Sequence, residues 1–447
     1  MVFETDYTFN NNFGFQNQSL IIKNEENGEF MLILFQKKLV DAILFDKNFK
    51  EKQRFKINSF PSKYKTYVGH QIKNNIYHIF FSNINKTRFG TIKFNITDHT
   101  SSQKSLDLKL NNEIFLDFII NKNQLYFLTV VKSTSTLNLY TLDKNLTPTK
   151  KTYSLRTIEH PNPYRPQEKR TLYSMLNVVE GFSGNFSNIR HNGINPLETT
   201  VKDIKLYHKD NFITIGVDSN NKVAHFFTVD LTTLKLTYKF FEKPSIKKGF
   251  KKNNTFLLDK YLFLLACSSE KMKFQIHNFQ TNSLIKEYSL TKNDSITIKN
   301  GPIIVENGTY SDYRELEKTA KYLRKISFDK LGISAQKVNK KYNIVLGGIT
   351  KKGGLENINF SNSSLGVNSF STNYTFSYSN RATYINCLFS EDFEHVKGEI
   401  PLNNYDLLKD FEKTLKSPKA VHIVRNKEKL YYGYYNTEDK KYTIFRM

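Results

Sequence analysis

Short apolar runs recur along this chain, each bounded by Asn, Asp, Ser, Lys or Gly. "EFMLILFQ" (29–36), "NIYHIFFS" (75–82), "QLYFLTVV" (124–131), "FITIGVD" (212–218), "YLFLLACS" (261–268) and "KLYYGYYN" (429–436) have the length and composition of buried strands. After a polar turn each is followed by a run with more alternation: "LVDAILFD", "RFGTIKFN", "TLNLYTLD", "VAHFFTVD", "KFQIHNFQ" and "KKYTIFRM". The second runs close on a marker, at Asp46, Asn95, Asp143, Asp230, Gln280 and Ser390. The first three markers are 49 and 48 residues apart, and Asp230 and Gln280 are 50 apart. "LFDKNFKEKQ" (44–53) and "LFSEDFEHVK" (388–397) are two copies of this same turn. Asp or Asn at a turn caps the backbone amides that follow, so the marker requires no catalytic role.

About four strands per period of about 50 residues resembles the blade of a β-propeller. A single four-stranded sheet cannot bury both of its faces, and radial packing of blades does so while keeping every edge short. The repeat gives units at 18–57, 67–110, 113–155, 200–240, 253–289 and 341–400. A seventh, at 419–425, 428–435 and 440–446, is one strand short. The missing strand stands at the other end of the chain. In "VFETDYTF" (2–9), Phe3, Thr5, Tyr7 and Phe9 alternate with Glu4, Asp6 and Thr8. The expected fold is all-β: one propeller domain over 1–447, with about seven four-stranded blades (six or eight also fit) closed by the N-terminal strand. The Trp-Asp ending of WD40 repeats is excluded, since there is no Trp. "NIVLGGIT" (343–350) resembles the double glycine of kelch repeats once only, and the sialidase Asp-box is missing.

Three segments break the period between a last strand and the next first strand: 156–199, 290–340 and 401–418. Such connections leave a propeller on one face, so the three are expected together there. A helix is predicted over 312–327, opened by the capping box Asp312 and Glu315, with Tyr313, Leu316, Ala320 and Leu323 as its apolar stripe and Lys318, Lys321, Arg324 and Lys325 outward. A second helix is predicted in 401–418, capped by Asn403 or Asn404, with Leu408, Phe411 and Leu415 on one face. The segment 351–373 is read as interrupting the first hairpin of the sixth blade and projecting from the opposite face.

Composition changes this picture in three ways. Aromatics are 37 Phe and 26 Tyr, which favour strands, and glycine is scarce at 19. Lys and Arg exceed Asp and Glu by 24. That balance suits an anionic partner, although the excess of Lys over Arg and the abundant Asn are also what AT-rich coding produces. The two cysteines, Cys267 and Cys387, lie in apolar runs and are read as core residues rather than a disulfide framework. No signal peptide or membrane span is visible, so the chain as written is expected in the cytoplasm; a trimmed or misassigned start would place it in the periplasm or cell envelope.

Catalytic and ligand motifs are missing: GxGxxG, GxxxxGK[ST], HExxH, CxxC and GxSxG do not occur, and no His pairs at metal-ligand spacing. No metal site and no cofactor are expected, and no catalytic residue is assigned. The one candidate binding patch is cationic and aromatic. "HPNPYRPQEKR" supplies His160, Tyr164, Arg165, Lys169 and Arg170, and "NIRHNG" adds Arg190 and His191. The stretch "KPSIKKGFKK" (243–252) is expected to add positive charge on the same side. The leading functional reading is a non-catalytic binding or scaffold protein presenting its inserted face to a protein partner. The alternatives are a hydrolase or lyase acting on a glycan or other anionic substrate in the central funnel, and salt-sensitive binding to an anionic polymer.

Overall fold

The computed structural model describes the chain except residues 10–16, 37, 62, 65, 162–166, 177, 180, 181, 184, 192, 194, 245–248, 308–312, 351–379, 403, 427 and 428; the side chains of 17, 160, 161, 178, 179, 182, 183, 307, 404–406 and 409 are likewise outside the description. Seven antiparallel sheets form the blades of a β-propeller. Blade 1 is Asn17–Lys23, Phe30–Gln36, Leu39–Phe45 and Glu51–Ile57, and blade 2 runs from Thr66–Lys73 to Thr100–Leu106. Blade 3 runs from Glu113–Asn121 to Pro148–Ser154, blade 4 from Ile204–Lys209 to Lys235–Glu242, and blade 5 from Lys252–Leu258 to Leu284–Thr291. In each, the first strand is innermost and the fourth is the outer edge. We call the end where the inner strands begin the entry end of the ring, and the end where they finish the exit end.

The N-terminal strand closes the ring. Phe3–Asp6 pairs with Lys441–Arg446, which lies beside Lys429–Asn436 and Lys419–Asn426 in blade 7. The alternation read from the sequence holds: Phe3, Thr5 and Tyr7 are part-buried and Phe9 buried, whereas Glu4, Asp6 and Thr8 are exposed. The Phe3 ring meets the edge of Phe45 at 4.4 Å, Phe9 meets Tyr435 at 4.7 Å, and the Tyr7 hydroxyl donates to Asp41 at 2.8 Å. The inner strands of blades 1 and 7 are stitched together as well. Ser19 donates to the Ala420 carbonyl at 2.6 Å, Tyr442 donates to Ser19 at 2.7 Å, and the Ile21 amide donates to Nδ1 of His422 at 3.2 Å.

The recurrent markers are turn caps. Oδ1 of Asp46 accepts from the amides of Asn48 and Lys50, that of Asp143 from Asn145 and Thr147, and that of Asp230 from Thr232, all at 2.8–2.9 Å. Asn95 and Ser390 cap their turns in the same way. In blade 5 the capping residue is Asn278 rather than Gln280, since Asn278 Oδ1 accepts from the Gln280 amide at 2.8 Å.

Blade 6 departs from the sequence reading. Residues 341–350 are its second strand, because Lys341–Thr350 is paired on both sides, with Lys330–Val338 and with Arg381–Phe389. The next strand outward is Ile303–Asn307, which comes earlier in the chain, and Arg314–Leu316 adds a fifth strand beyond it. Three strands of this blade therefore lie within 290–340, which the period assigned to an insertion. Pairing of Ile304 with Tyr384 across 80 residues leaves no periodic trace. The premise for putting 351–373 opposite the other insertions was a first hairpin; it joins a second strand to a third, and the segment itself lies outside the described residues.

The shared-face expectation also changes. Blade 6 ends on its third strand, so the chain leaves it at the exit end and crosses to reach blade 7 at the entry end. Helices fill the flanks of blades instead of capping one rim. The predicted helix begins later than its capping box: Glu315 is in a strand, Asp312 lies outside the described residues, and helix starts at Thr319. Its buried residues are Thr319, Tyr322, Leu323, Ile326 and Ser327, whereas Tyr313 and Ala320 are exposed. Lys318, Lys321 and Arg324 do face outward, and Lys325 is part-buried. This helix packs between blades 5 and 6, with Tyr322 donating to the Leu346 carbonyl at 2.9 Å. The later helix, Asn404–Thr414, lays Leu408, Phe411 and Leu415 against Tyr432 and Ile423 of blade 7, as its stripe predicts. Cys267 and Cys387 are free and fully buried, and burial pushes the Cys267 thiol up to about 12. Among the described residues no helix is long and apolar enough to cross a membrane.

Closure by residues 1–9 gives the first prediction. Removing them exposes the Lys441–Arg446 edge and the rings of Phe45 and Tyr435. The truncated protein should lose on the order of 3–5 kcal/mol of stability and aggregate on heating. A denaturant midpoint equal to that of the full chain refutes closure by this strand.

Candidate functional site

The insertion 156–199 enters the middle of the ring. It starts at the entry end, where Leu155 and Ile158 are buried and the Leu155 amide donates to the Ser135 carbonyl in a turn of blade 3. His160–Pro161 pairs with Lys169–Arg170 as a two-stranded ribbon there. Helix α1 (Leu172–Leu176) is tied to the same blade 3 turn, its first amide donating to Ser135 Oγ at 2.9 Å. Leu172, Met175 and Leu176 are buried, which fits a chain pulled inward by apolar residues between polar turns.

The chain then runs through the ring. Phe186–Ile189 pairs in parallel with Ile204–Tyr207, on the inner side of the innermost strand of blade 4. Asn188 of this added strand donates to Asp117 of blade 3 at 2.6 Å. Near the exit end the chain turns back, and buried Asn195 holds the turn by accepting from the Arg190 amide at 2.8 Å and donating to the Arg190 carbonyl at 2.9 Å. The return leg is the helical turn α2 (Leu197–Thr200). It meets blade 5 where Asn254 donates to the Thr200 carbonyl, and blade 6 where Leu197 and Val201 pack on Ile349, Ala382 and Tyr384. Gly332, on the innermost strand of blade 6, makes that approach possible: a Cβ there would lie 2.8 Å from Val201 Cγ1.

This path separates the predicted site residues. Lys169 and Arg170 remain at the entry end, on the ribbon with the backbone of His160. Arg190 and His191 sit at the far end of the added strand. His191 Nε2 lies 3.4 Å from an oxygen of Asp259, at the exit end of blade 5, and Lys209 pairs with the same carboxylate. Burial holds the His191 imidazole below its ordinary value, against the pull of Asp259. Tyr164 and Arg165 lie outside the described residues. In the second basic stretch, Lys243 points inward. It is fully buried with Lys205, the two ammonium groups sitting 2.8 and 2.9 Å from the oxygens of Asp218. Burial alone would raise the Asp218 carboxyl; the two lysines hold it well below the usual range. The amide and hydroxyl of Thr255 complete its shell, so this cluster braces blade 4 to blade 5 and is not open to a ligand.

Sequence reading missed Asp117 and Lys86. Burial pushes the Asp117 carboxyl up to about 6, although the Phe118 amide, Lys86 and Asn188 all favour its charged form. Burial also lowers the Lys86 ammonium, which lies 5.2 Å over the Phe115 ring. No motif joins these residues, which come from blades 2 and 3 and the inserted strand. A carboxyl titrating near neutrality can hold or release a proton, but its fixed partners also suit a hinge between the insertion and the ring. Among the described residues no three His, Cys, Asp or Glu side chains are grouped to hold a metal ion.

No protein-family model matches the chain, and no curated protein matches it. Among solved structures, it is similar to Hsv2 of Kluyveromyces lactis at 9% identity, over 96% of this chain and 98% of that one, with a TM-score of 0.32. It is similar to the WD40 domain of SCAP from fission yeast at 11% identity, over 96% and 84%, with a TM-score of 0.31. A third likeness is to the dihydro-heme d1 dehydrogenase NirN at 9% identity and a TM-score of 0.28; it covers 62% of this chain and spans 48% of the NirN chain. At such scores none of these adds to what the strand order already establishes.

Two predictions follow from the insertion. Gly332→Val should force α2 off the inner strand of blade 6 and cost about 1–3 kcal/mol, read by denaturant unfolding; an unchanged midpoint would contradict the close approach. The second concerns pH. Because the folded-state pKa of Asp117 lies above the unfolded value of 3.8, the folded protein binds the proton more tightly. Stability from this group is full below pH 3.8 and is lost as pH rises through about 6. Asp117→Asn should therefore gain stability relative to the parent between these limits, with a constant difference above them. A difference that is flat across the window would show that Asp117 is not perturbed.

Proposed function

We propose that this protein is a non-catalytic propeller that binds a protein partner through its entry end, where the insertion 156–199 leaves the ring. The observation that supports this reading is the course of the insertion. Side chains of a propeller converge on a small substrate in the middle of the ring, and here Phe186–Ile189 and α2 occupy that space. Their apolar side chains are packed against blades 3, 4 and 6. What the insertion leaves outward is its ribbon, with His160 and Arg170 at one paired position and Lys169 at the next. In this reading Tyr164 and Arg165 belong to the contact surface, and Arg190 and His191 fix the insertion from the far end.

The test uses the intact protein from its native cells, cross-linked and recovered by an affinity tag. Arg165→Ala with Lys169→Ala should keep the thermal unfolding transition within about 1 kcal/mol of the parent and deplete the co-purifying partner at least several-fold. A partner recovered equally by both proteins would refute the assignment of these residues. If the purified protein instead turns over glycan or other anionic substrates, and α2-displacing Gly332→Val abolishes the turnover, the binding reading fails in favour of a funnel enzyme.

A further inference from the structure

One face of blade 6, across its first three strands, holds a set of polar atoms that the protein itself leaves without partners. Thr383 is 0% exposed and Asp329 is 5% exposed. Among the described residues neither Thr383 Oγ1, Asp329 Oδ2 nor Nε of Arg381 has a hydrogen-bond partner. Buried polar groups are ordinarily satisfied, and an orphan costs about as much as a lost hydrogen bond. Three orphans in one place therefore ask for a missing group.

Strand register puts them together. Thr383 stands directly opposite Gly348, and Arg381 directly opposite Thr350, so all four positions share one face of the sheet. Arg314 lies in the same row as Thr383, through Val305. The helix α3 (Thr319–Phe328) covers this face, and at Gly348 it comes so near that a Cβ would lie 2.8 Å from Cβ of Asp329. Arg381 Nη2 donates to Thr350 Oγ1 at 3.2 Å, and Thr350 donates to Oδ1 of Asp329 at 2.5 Å. That leaves Nε of Arg381 as a donor, the Thr383 hydroxyl as a donor, and Oδ2 of Asp329 as an acceptor.

The surroundings are cationic. Lys318, Lys321, Arg324 and Lys325 lie on α3 or at its start, with Arg314 and Arg381 on the sheet beside it. Among the described residues none of these six takes part in an ion pair, unlike Lys286, Lys292 and Lys337 nearby in the chain. Burial and the charges of Arg381 and Arg314 lower the Lys325 ammonium, as expected of a cation crowded by others.

We propose that this cluster binds a protonated oxyanion, monohydrogen phosphate being the fitting member of the class. Its oxygens accept from Arg381 Nε, Thr383 and Lys325. Its remaining hydroxyl donates to Oδ2 of Asp329, which would repel a fully deprotonated anion. Sulfate is similar in size but carries no proton, so the acceptor at Asp329 distinguishes the two. This site lies on the face of the sheet opposite the one that α2 packs on, and it does not depend on the partner-binding reading.

The test is titration of the intact protein with inorganic phosphate at pH 8, where the phosphate itself is mainly in its monohydrogen form. Sulfate and phenyl phosphate at matched ionic strength are the comparison arms, and thermal unfolding and calorimetry the readouts. Phosphate should raise the melting temperature in a saturable way, and the other two should not. Phenyl phosphate acting as well as inorganic phosphate would show that the hydroxyl is not read. Arg381→Gln and, as a more exposed change that spares the Thr350 bridge, Lys325→Ala should each weaken phosphate binding by about tenfold or more. Asp329→Asn should admit sulfate and remove the preference. Equal responses of the parent protein to phosphate and sulfate, or an undiminished phosphate response in Lys325→Ala, would overturn the proposal.

Discussion

Each sheet in this molecule has two apolar faces and cannot stand alone. A blade is stable only between two neighbours, so the set must return on itself. The ring returns through one strand, Phe3–Asp6, hydrogen-bonded to the last strand of the chain. The backbone joins that strand to blade 1, but only hydrogen bonds and side-chain packing hold it to the rest of blade 7. The seam is held by Tyr442, Ser19 and Ala420 on the inside and by Phe3, Phe45 and Tyr7 on the outside. His422 belongs to the same seam, and its imidazole, pressed to about 3 by burial, must be neutral to accept from the Ile21 amide.

Once seven blades surround an axis, the middle has to be filled. The inner strands leave room there, and this chain fills it with its own insertion. The added strand 186–189 extends the blade 4 sheet inward, and α2 leans on the innermost strand of blade 6. The centre thus joins blades that are not neighbours in the ring. Charged groups in this region are matched one to another, as with Asp218 between Lys205 and Lys243. Cations without such partners collect instead on α3 and the outer strands of blade 6.

The repeat was legible because its turns are written locally. An Asp followed two residues later by a free amide needs no knowledge of the rest of the fold, and the caps at Asp46, Asp143 and Asp230 form as read. Closure was legible because alternation in 2–9 matched a unit that lacked one strand. Blade 6 was not legible, because Ile303–Asn307 finds its partner only after α3 and two further strands. The helix start was misplaced for a related reason: Glu315 satisfied a local capping pattern, yet the pull of the sheet on Arg314–Leu316 outweighed it. Of the candidate site, the sequence brought out the cations of the insertion but not their separation along the axis. The double glycine 347–348 resembled a kelch signature, whereas its role is steric. At Gly347 a Cβ would meet the Thr383 carbonyl, and at Gly348 it would meet Asp329.

The order of strands in blade 6 bears on how the chain is made. On a ribosome the strand Ile303–Asn307 emerges well before Arg381–Phe389, the neighbour that fixes it. Until then its apolar face and the edge opposite Arg314–Leu316 are open, while the five preceding blades already have the sequence to fold. The helix α3, emerging next, carries Tyr322, Leu323 and Ile326, which pack on blade 5 as well as on blade 6. It can dock on blade 5 first and hold the waiting strand close to the growing ring. Synthesis thus has a vulnerable interval between residues 303 and 389, in which a nascent chain offers an unpaired β-edge to chaperones or to other copies of itself.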